Sequence, residues 1–409
     1  LKLRWRYAKA LGYDSWAAYL AEDKMVRSAP AIDSFIKELK EACAPKNAAD
    51  LEKLLERKRK DEPTAQAVQM WDRFYYVGKV RAEDYDYDAQ EARAYFSYPK
   101  VKAGIIDLYS ELFGVEMVPL DSEPRWHEDV EAYELREDGV RVAVFYLDMH
   151  PRDDKYQHAA MFPVHTGVED GRIPRASLVC NFPNPEQGDG KALMEHSQVV
   201  TFFHEFGHLL HHLLSRGSPW AGLAGINVEW DFVEAPSQLL EEWAWDPGVL
   251  GGFATHADTG EPIPADLVKR MRAADELGKG VHVMRQIFYT AYSFHAHNRD
   301  PAELDLDAFE ADMYLAYSPY PALPGAHVYT SFGHIVGYSS MYYTYQWSLV
   351  IAKDLFTRFE KNGLLDPVVA RDYREHILKP GGTEDAAVLV ERFLGRPYSM
   401  DAYRRWLER

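Results

Sequence analysis

The chain has 409 residues, of which 47 % are hydrophobic and 27 % charged, enough apolar mass for a large folded core and too much for a disordered chain. A formal net charge of −18 argues against a nucleic-acid partner, because phosphate binding needs a basic face. No run reaches the roughly 18 apolar residues of a membrane span, and two cysteines, Cys43 and Cys180, are too few for a disulfide framework or a cysteine zinc cluster.

Those two cysteines are expected as buried thiols in a reducing compartment, which points to the cytoplasm. The chain opens at Leu1 inside a helix-like pattern, LKLRWRYAKALGYDSWAAYL, so a segment ahead of it is expected. From 28 to about 92 the spacing predicts helices. Ile32, Phe35, Ile36 and Leu39 share one face, Leu51, Leu54 and Leu55 repeat it, and Pro30, Pro45 and Pro63 punctuate the segments. The charged run LEKLLERKRKDE reads as a helix with a solvated face. In YELREDGVRVAVFYLD, Asp138-Gly139 marks a turn, and Val140, Val142, Val144 and Tyr146 alternate, which predicts a β-hairpin. Short strands are expected at 158–164 and 176–182, followed by helices to the end.

The segment HSQVVTFFHEFGHLLHHLLSRG predicts a helix ending near Gly217, with Arg216 in its last turn. It carries His204-Glu205-Phe206-Gly207-His208. Residues four apart stack on one helix face, so two imidazoles can grip one metal ion while Glu205 reaches a water beside it. Glycine inside a helix costs about 1 kcal/mol relative to alanine, so Gly207 implies a close neighbour. A third protein ligand is needed. Metzincin spacing fails, since His211 and Leu214 stand where glycine and histidine belong. Downstream, Glu234, Gln238 and Glu241 share a helical face, and spacing leaves Glu234 and Glu241 as rivals. Residues 331–347, SFGHIVGYSSMYYTYQW, read first as an aromatic core helix. The alternative is a turn between Gly333 and Gly337 that aims His334 or a tyrosine at a developing negative charge.

HEFGH followed by DFVEAPSQ resembles the thimet oligopeptidase family of zinc metallopeptidases. FYLDMHPRDDKYQHAAMF, VCNFPNP, ILKPGGTEDA and ERFLGRPY resemble that family as well. The resemblance implies a mainly α, two-lobed, helical zincin-type metallopeptidase with a small β-sheet beside the active-site helix. It divides the chain into 1–95, part of a lobe opposing the active site, and 96–409, the catalytic domain. It also implies an additional helical segment ahead of residue 1. One zinc ion per chain would be held by His204, His208 and Glu234, with Glu205 as general base and Asp231 and Glu241 as outer carboxylates. His334, Tyr338 and Tyr345 match a glycine-rich substrate loop, flanked here by Gly333 and Gly337 and one residue shorter than usual. His158 and Ala159 fall where a strand would pair with a bound peptide. The implied activity is hydrolysis of short unstructured peptides, as an endopeptidase more than a dipeptidyl carboxypeptidase. A catalytically idle peptide-binding protein on the same fold is the alternative.

Overall fold

In the computed structural model, which describes residues 1–169 and 171–409, a single run of strands interrupts a chain of helices. Helices α1 (Lys2–Ala10), α2 (Trp16–Ala21), α3 (Ala29–Asp61), α4 (Arg73–Tyr85), α5 (Ala89–Arg93) and α6 (Tyr98–Phe113) come first. Strands β1 (Glu116–Pro119), β2 (Glu131–Glu137), β3 (Val140–Asp148), β4 (Ala160–His165) and β5 (Arg175–Val179) follow. Next are α7 (His196–Leu214), α8 (Glu234–Leu240), α9 (Pro247–Gly251), α10 (Ala265–Asp275), α11 (Lys279–His297) and α12 (Leu306–Tyr317). The chain continues through α13 (His334–Gly337), α14 (Thr344–Asn362), α15 (Pro367–Tyr373), α16 (Ala386–Leu394) and α17 (Asp401–Glu408). The mainly helical class with one small sheet agrees with expectation. Among the described residues no helix is long and apolar enough to cross a membrane.

Compactness divides the chain differently from the boundary expected at 95/96. One compact unit comprises Leu1–Tyr87, Ala273–Val350 and Asp401–Arg409, and the other Asp88–Arg272 and Ile351–Met400. The reason is packing: the N-terminal helices cover their apolar faces with α11, which lies far along the chain. Leu54, Leu55, Val68, Tyr76 and Val80 share a core with Leu277, Val281 and Tyr320.

The same packing explains why Pro45 does not end α3, which runs straight through it. A proline inside a helix costs about 3 kcal/mol. Here α11 docks against the backbone beside it. A Cβ on Gly280 would come within 2.4 Å of Asn47 N. Asp50 Oδ2 accepts from Gly280 N at 2.8 Å, and Cys43 Sγ lies 3.2 Å from Gly280 O.

In the second unit the sheet order is β1-β2-β3-β5-β4, with β3 and β5 parallel and the other pairs antiparallel. Asp138 and Gly139 take positive φ, 48° and 76°, as a tight hairpin turn requires. Both faces of β3 are covered from Val142 onward. Val144 and Tyr146 pack with Leu120, Val130 and Ala132. On the opposite face Phe145 lies 5.1 Å from the Tyr133 ring and 6.2 Å from Phe206 of α7. Tyr109 of α6 stacks on Phe206 at 5.5 Å, so α7 is held between α6 and the sheet. β4 forms one edge, with Phe162 and Val164 exposed. Both cysteines are free and buried, and burial pushes the Cys43 thiol up to about 12.

Candidate metal centre

Helix α7 starts on a capping box, in which Gln198 returns a bond to Glu195 N at 2.9 Å. It ends at Leu214 and not near Gly217. Ser215 leaves the helical region (φ −84°, ψ 94°), and its hydroxyl takes Gly225 N at 2.9 Å, turning the chain. Between these ends, His204 and His208 sit one turn apart with ring centroids separated by 4.9 Å.

Glu234 opens α8, and its Oε2 lies 3.2 Å from His204 Nε2 and 3.1 Å from His208 Nε2. The three potential ligand atoms all fall within 4.8 Å of one another. Gly207 makes this convergence possible: a Cβ there would meet Ser237 Cα at 2.7 Å. Gly207→Ala is therefore expected to push α8 outward. Metal affinity should drop about 10–100-fold, comparable to losing a supporting outer group, and a chelator-competition titration measures it.

Burial opposes ionisation of Glu234, but the His208 and His204 imidazoles beside it hold its carboxyl well below the usual range. Burial likewise resists charging of His204, yet hydrogen bonds to Glu234 and Glu241 lift it well above its usual value. Positive charge is thus favoured at the point where the three side chains meet. Glu241 Oε1 lies 2.7 Å from His204 Nδ1, on the far side of the ring from Glu234. That bond fixes the ring and leaves Nε2 directed inward.

Glu205 is buried and accepts from Met161 N–H of edge strand β4, while its Oε2 has no partner. Burial raises its carboxyl above the ordinary range, against the opposing pull of His204 and His208. Two imidazole nitrogens and one carboxylate oxygen, with a second buried carboxylate oxygen left unsatisfied beside them, match the donor set of a catalytic zinc site. His211 is fully buried with neither ring nitrogen partnered, and burial pushes it down to about 3, so it is neutral and stands outside the donor set.

Asp231 is expected to orient a ligand histidine, and in the structure Glu241 takes that place at His204. His204 Nδ1 is held by Glu241, and His208 Nδ1 has no partner. Asp231 is fully buried, and after burial its charge helps to push the Tyr398 phenol up to about 12. His158 and Ala159 precede β4 and are not part of it. Asn181 Nδ2 ties this stretch down through Tyr156 O at 3.0 Å and His158 O at 3.4 Å.

Two supporting groups escaped sequence reasoning, because burial of a single charged residue leaves no periodic signal. Lys155 Nζ donates to Asp148 O, His150 O and Cys180 O at 2.9, 2.6 and 2.5 Å, binding the ends of β3 and β5. Glu242 follows Glu241 directly and is buried against Lys353 and Arg272, the latter at 3.0 Å. Burial opposes its ionisation, but those two cations hold its carboxyl at about 2. A depressed folded pKa gives stability that is complete above the unfolded value near 4.5 and lost as pH falls towards 2. Glu242→Gln should cost about 3 kcal/mol at pH 7, with a flatter acid limb between pH 4.5 and 2, read by denaturant unfolding at several pH values.

The tyrosine-rich segment belongs to the other unit. α13 is one helical turn, and four side chains cluster at it and after it. His334 lies 4.9 Å from Tyr342, Tyr338 stacks on Tyr345 at 5.3 Å, and Tyr345 OH is 3.5 Å from His334 Nε2. His334 is exposed, Tyr338 and Tyr345 are half-buried, and Tyr343 is fully buried. The expected flexible turn between Gly333 and Gly337 is instead helical. The left-handed residue is Ser339, with φ 52°.

A profile of peptidase family M3 matches residues 1–409. The thimet-like oligopeptidase of Dictyostelium discoideum is 32 % identical over 416 residues, covering 96 % of this chain and 61 % of that protein. Oligopeptidase A of Escherichia coli (strain K12) is 32 % identical over 412 residues, covering 98 % and 60 %. The chain therefore spans about three-fifths of the length of the curated relatives it matches. Among solved structures, PZ peptidase A with inhibitor 2 shares the fold at TM-score 0.59 and 13 % identity, over 100 % of this chain and 64 % of that one. The chain belongs to peptidase family M3.

Proposed function

We propose that this chain hydrolyses peptide bonds in short unstructured oligopeptides, with one zinc ion held by His204, His208 and Glu234 and with Glu205 as general base. The observation that carries the reading is the convergence of those three ligand atoms beside the unpartnered Oε2 of Glu205. Zinc bound there would supply Lewis acidity and lower the pKa of water towards about 7. Glu205 takes the proton at Oε2, keeps its orientation through Met161 N–H, and returns the proton to the leaving amine. Glu241 holds His204 in the tautomer whose Nε2 is free for the metal.

Tyr345, Tyr338 and His334 are assigned to the oxyanion and the substrate, where one such donor supplies about 3 kcal/mol. Edge strand β4, with His158 and Ala159 leading into it, offers its open side to an extended peptide. Pairing through the substrate backbone fits an endopeptidase with broad side-chain tolerance, and two buried thiols fit the cytoplasm. An idle peptide-binding protein is the weaker reading, because both histidines, Glu205 and Glu234 are all present.

The test is incubation of the purified, zinc-loaded chain with peptides of graded length, with products identified by mass spectrometry. Internal cleavage that stops on chelation and returns with zinc supports the proposal. A folded, zinc-loaded chain that cleaves none of them contradicts it.

A further inference from the structure

We propose that Arg4 is a positioning residue whose guanidinium latches the turn carrying His334 and Tyr338, so that α1 governs how that turn acts on substrate. The inference rests on the reading of this turn as substrate-contacting. Arg4 Nη1 donates to Ile335 O at 2.7 Å and Nη2 to Val336 O at 2.6 Å. These are carbonyls at the end of a one-turn helix, where no following turn supplies donors and a cation is favoured. Burial does little to hold the turn, since His334 is exposed and Val336 is 79 % exposed. So short a helix is not stable unaided.

The far side of the guanidinium is equally defined. Arg4 Nη1 lies 2.9 Å from His297 Nε2, and His297 Nδ1 lies 2.8 Å from Ser293 O. A carbonyl only accepts, so Nδ1 carries the proton. An arginine only donates, so Nε2 is bare. That requires a neutral ring, and burial pushes His297 down to about 4. From α2, Trp16 Nε1–H reaches Ser339 Oγ at 2.9 Å, and Ser293 Oγ–H reaches Ser339 O at 2.6 Å. These two bonds pin a serine in the left-handed region, which serine adopts reluctantly. Arg4 and Trp16 thus grip the two ends of one turn. Lysine cannot replace the arginine, because a single ammonium lacks the planar fork that reaches two carbonyls and an imidazole together.

The test compares the full chain with Arg4→Gln, Arg4→Lys and Trp16→Phe, all zinc-loaded. Hydrogen exchange is the first measurement and does not depend on activity. Protection of amides 334–341 should fall about tenfold in Arg4→Gln and Trp16→Phe, the effect of losing one charge-assisted or buried hydrogen bond. Exchange in α7 should stay unchanged. Unaltered protection of the turn in Arg4→Gln overturns the latch, whatever the activity. Should Arg4→Gln fail to fold, Arg4→Lys, which keeps the charge and loses the fork, decides it: unaltered protection there overturns the latch.

Peptide cleavage is the second measurement. kcat should fall about 10–100-fold with KM and zinc content little changed, as expected when a reacting group is displaced by about an ångström. Arg4→Lys should recover only part of it. The double variant should lose less than the sum of the two single losses, since both act through one turn. A loosened turn with wild-type kcat contradicts the catalytic role. A wild-type chain that cleaves nothing contradicts the functional reading, while the exchange experiment still decides the latch.

Discussion

Replacing Glu205 with glutamine is expected to lower kcat by about 10²–10⁴-fold while the protein stays folded and keeps its metal. The side chain accepts Met161 N–H, a bond that a glutamine oxygen can also accept, so the change preserves shape and orientation. What disappears is the ability to take up and return a proton. Glu205 is not among the three converging ligands, so metal content should remain at wild-type level. Single-turnover kinetics on an internally quenched peptide, with metal measured on the same sample, separates the two effects. Wild-type turnover in the variant would remove Glu205 from the mechanism, and loss of metal would make it a ligand.

The second large effect concerns the third ligand. Glu234→Ala should weaken zinc binding by well over 100-fold, because it removes the only carboxylate that touches both inward-facing imidazole nitrogens among the described residues. Glu241→Gln should weaken it by about 10–100-fold, the usual effect of losing a group that only orients a ligand. Chelator-competition titrations at one pH give both numbers. An order of effects opposite to this would exchange the two residues' roles.

How much of this site could be read in the sequence follows from which contacts are local. His204, Glu205 and His208 were legible because four residues make one helical turn. Gly207 was legible as a demand for a close neighbour, which turned out to be Ser237 Cα. Glu234 and Glu241 were inseparable by spacing because both do face His204: Glu234 opens α8 and lies 3.2 Å from Nε2, while Glu241, next after Leu240 and still in helical backbone, lies 2.7 Å from Nδ1. Only the resemblance distinguished them beforehand.

Tertiary packing decided what remained hidden. Pro45 sits inside α3 because α11 closes on the backbone beside it, a contact spanning 230 residues. The two units interleave in sequence for the same reason, so no single boundary along the chain could separate them. β1 was missed since four residues ending in proline carry no alternation. Asp231 lies in a family-like motif, yet that says nothing of which buried polar group it meets.

The most direct test of the central claim is anomalous diffraction at the zinc edge from crystals of the wild-type chain loaded with one equivalent of zinc. One peak bonded to His204 Nε2, His208 Nε2 and a Glu234 carboxylate oxygen is the expected result. A peak elsewhere, or these three side chains directed away from a common point, would contradict it.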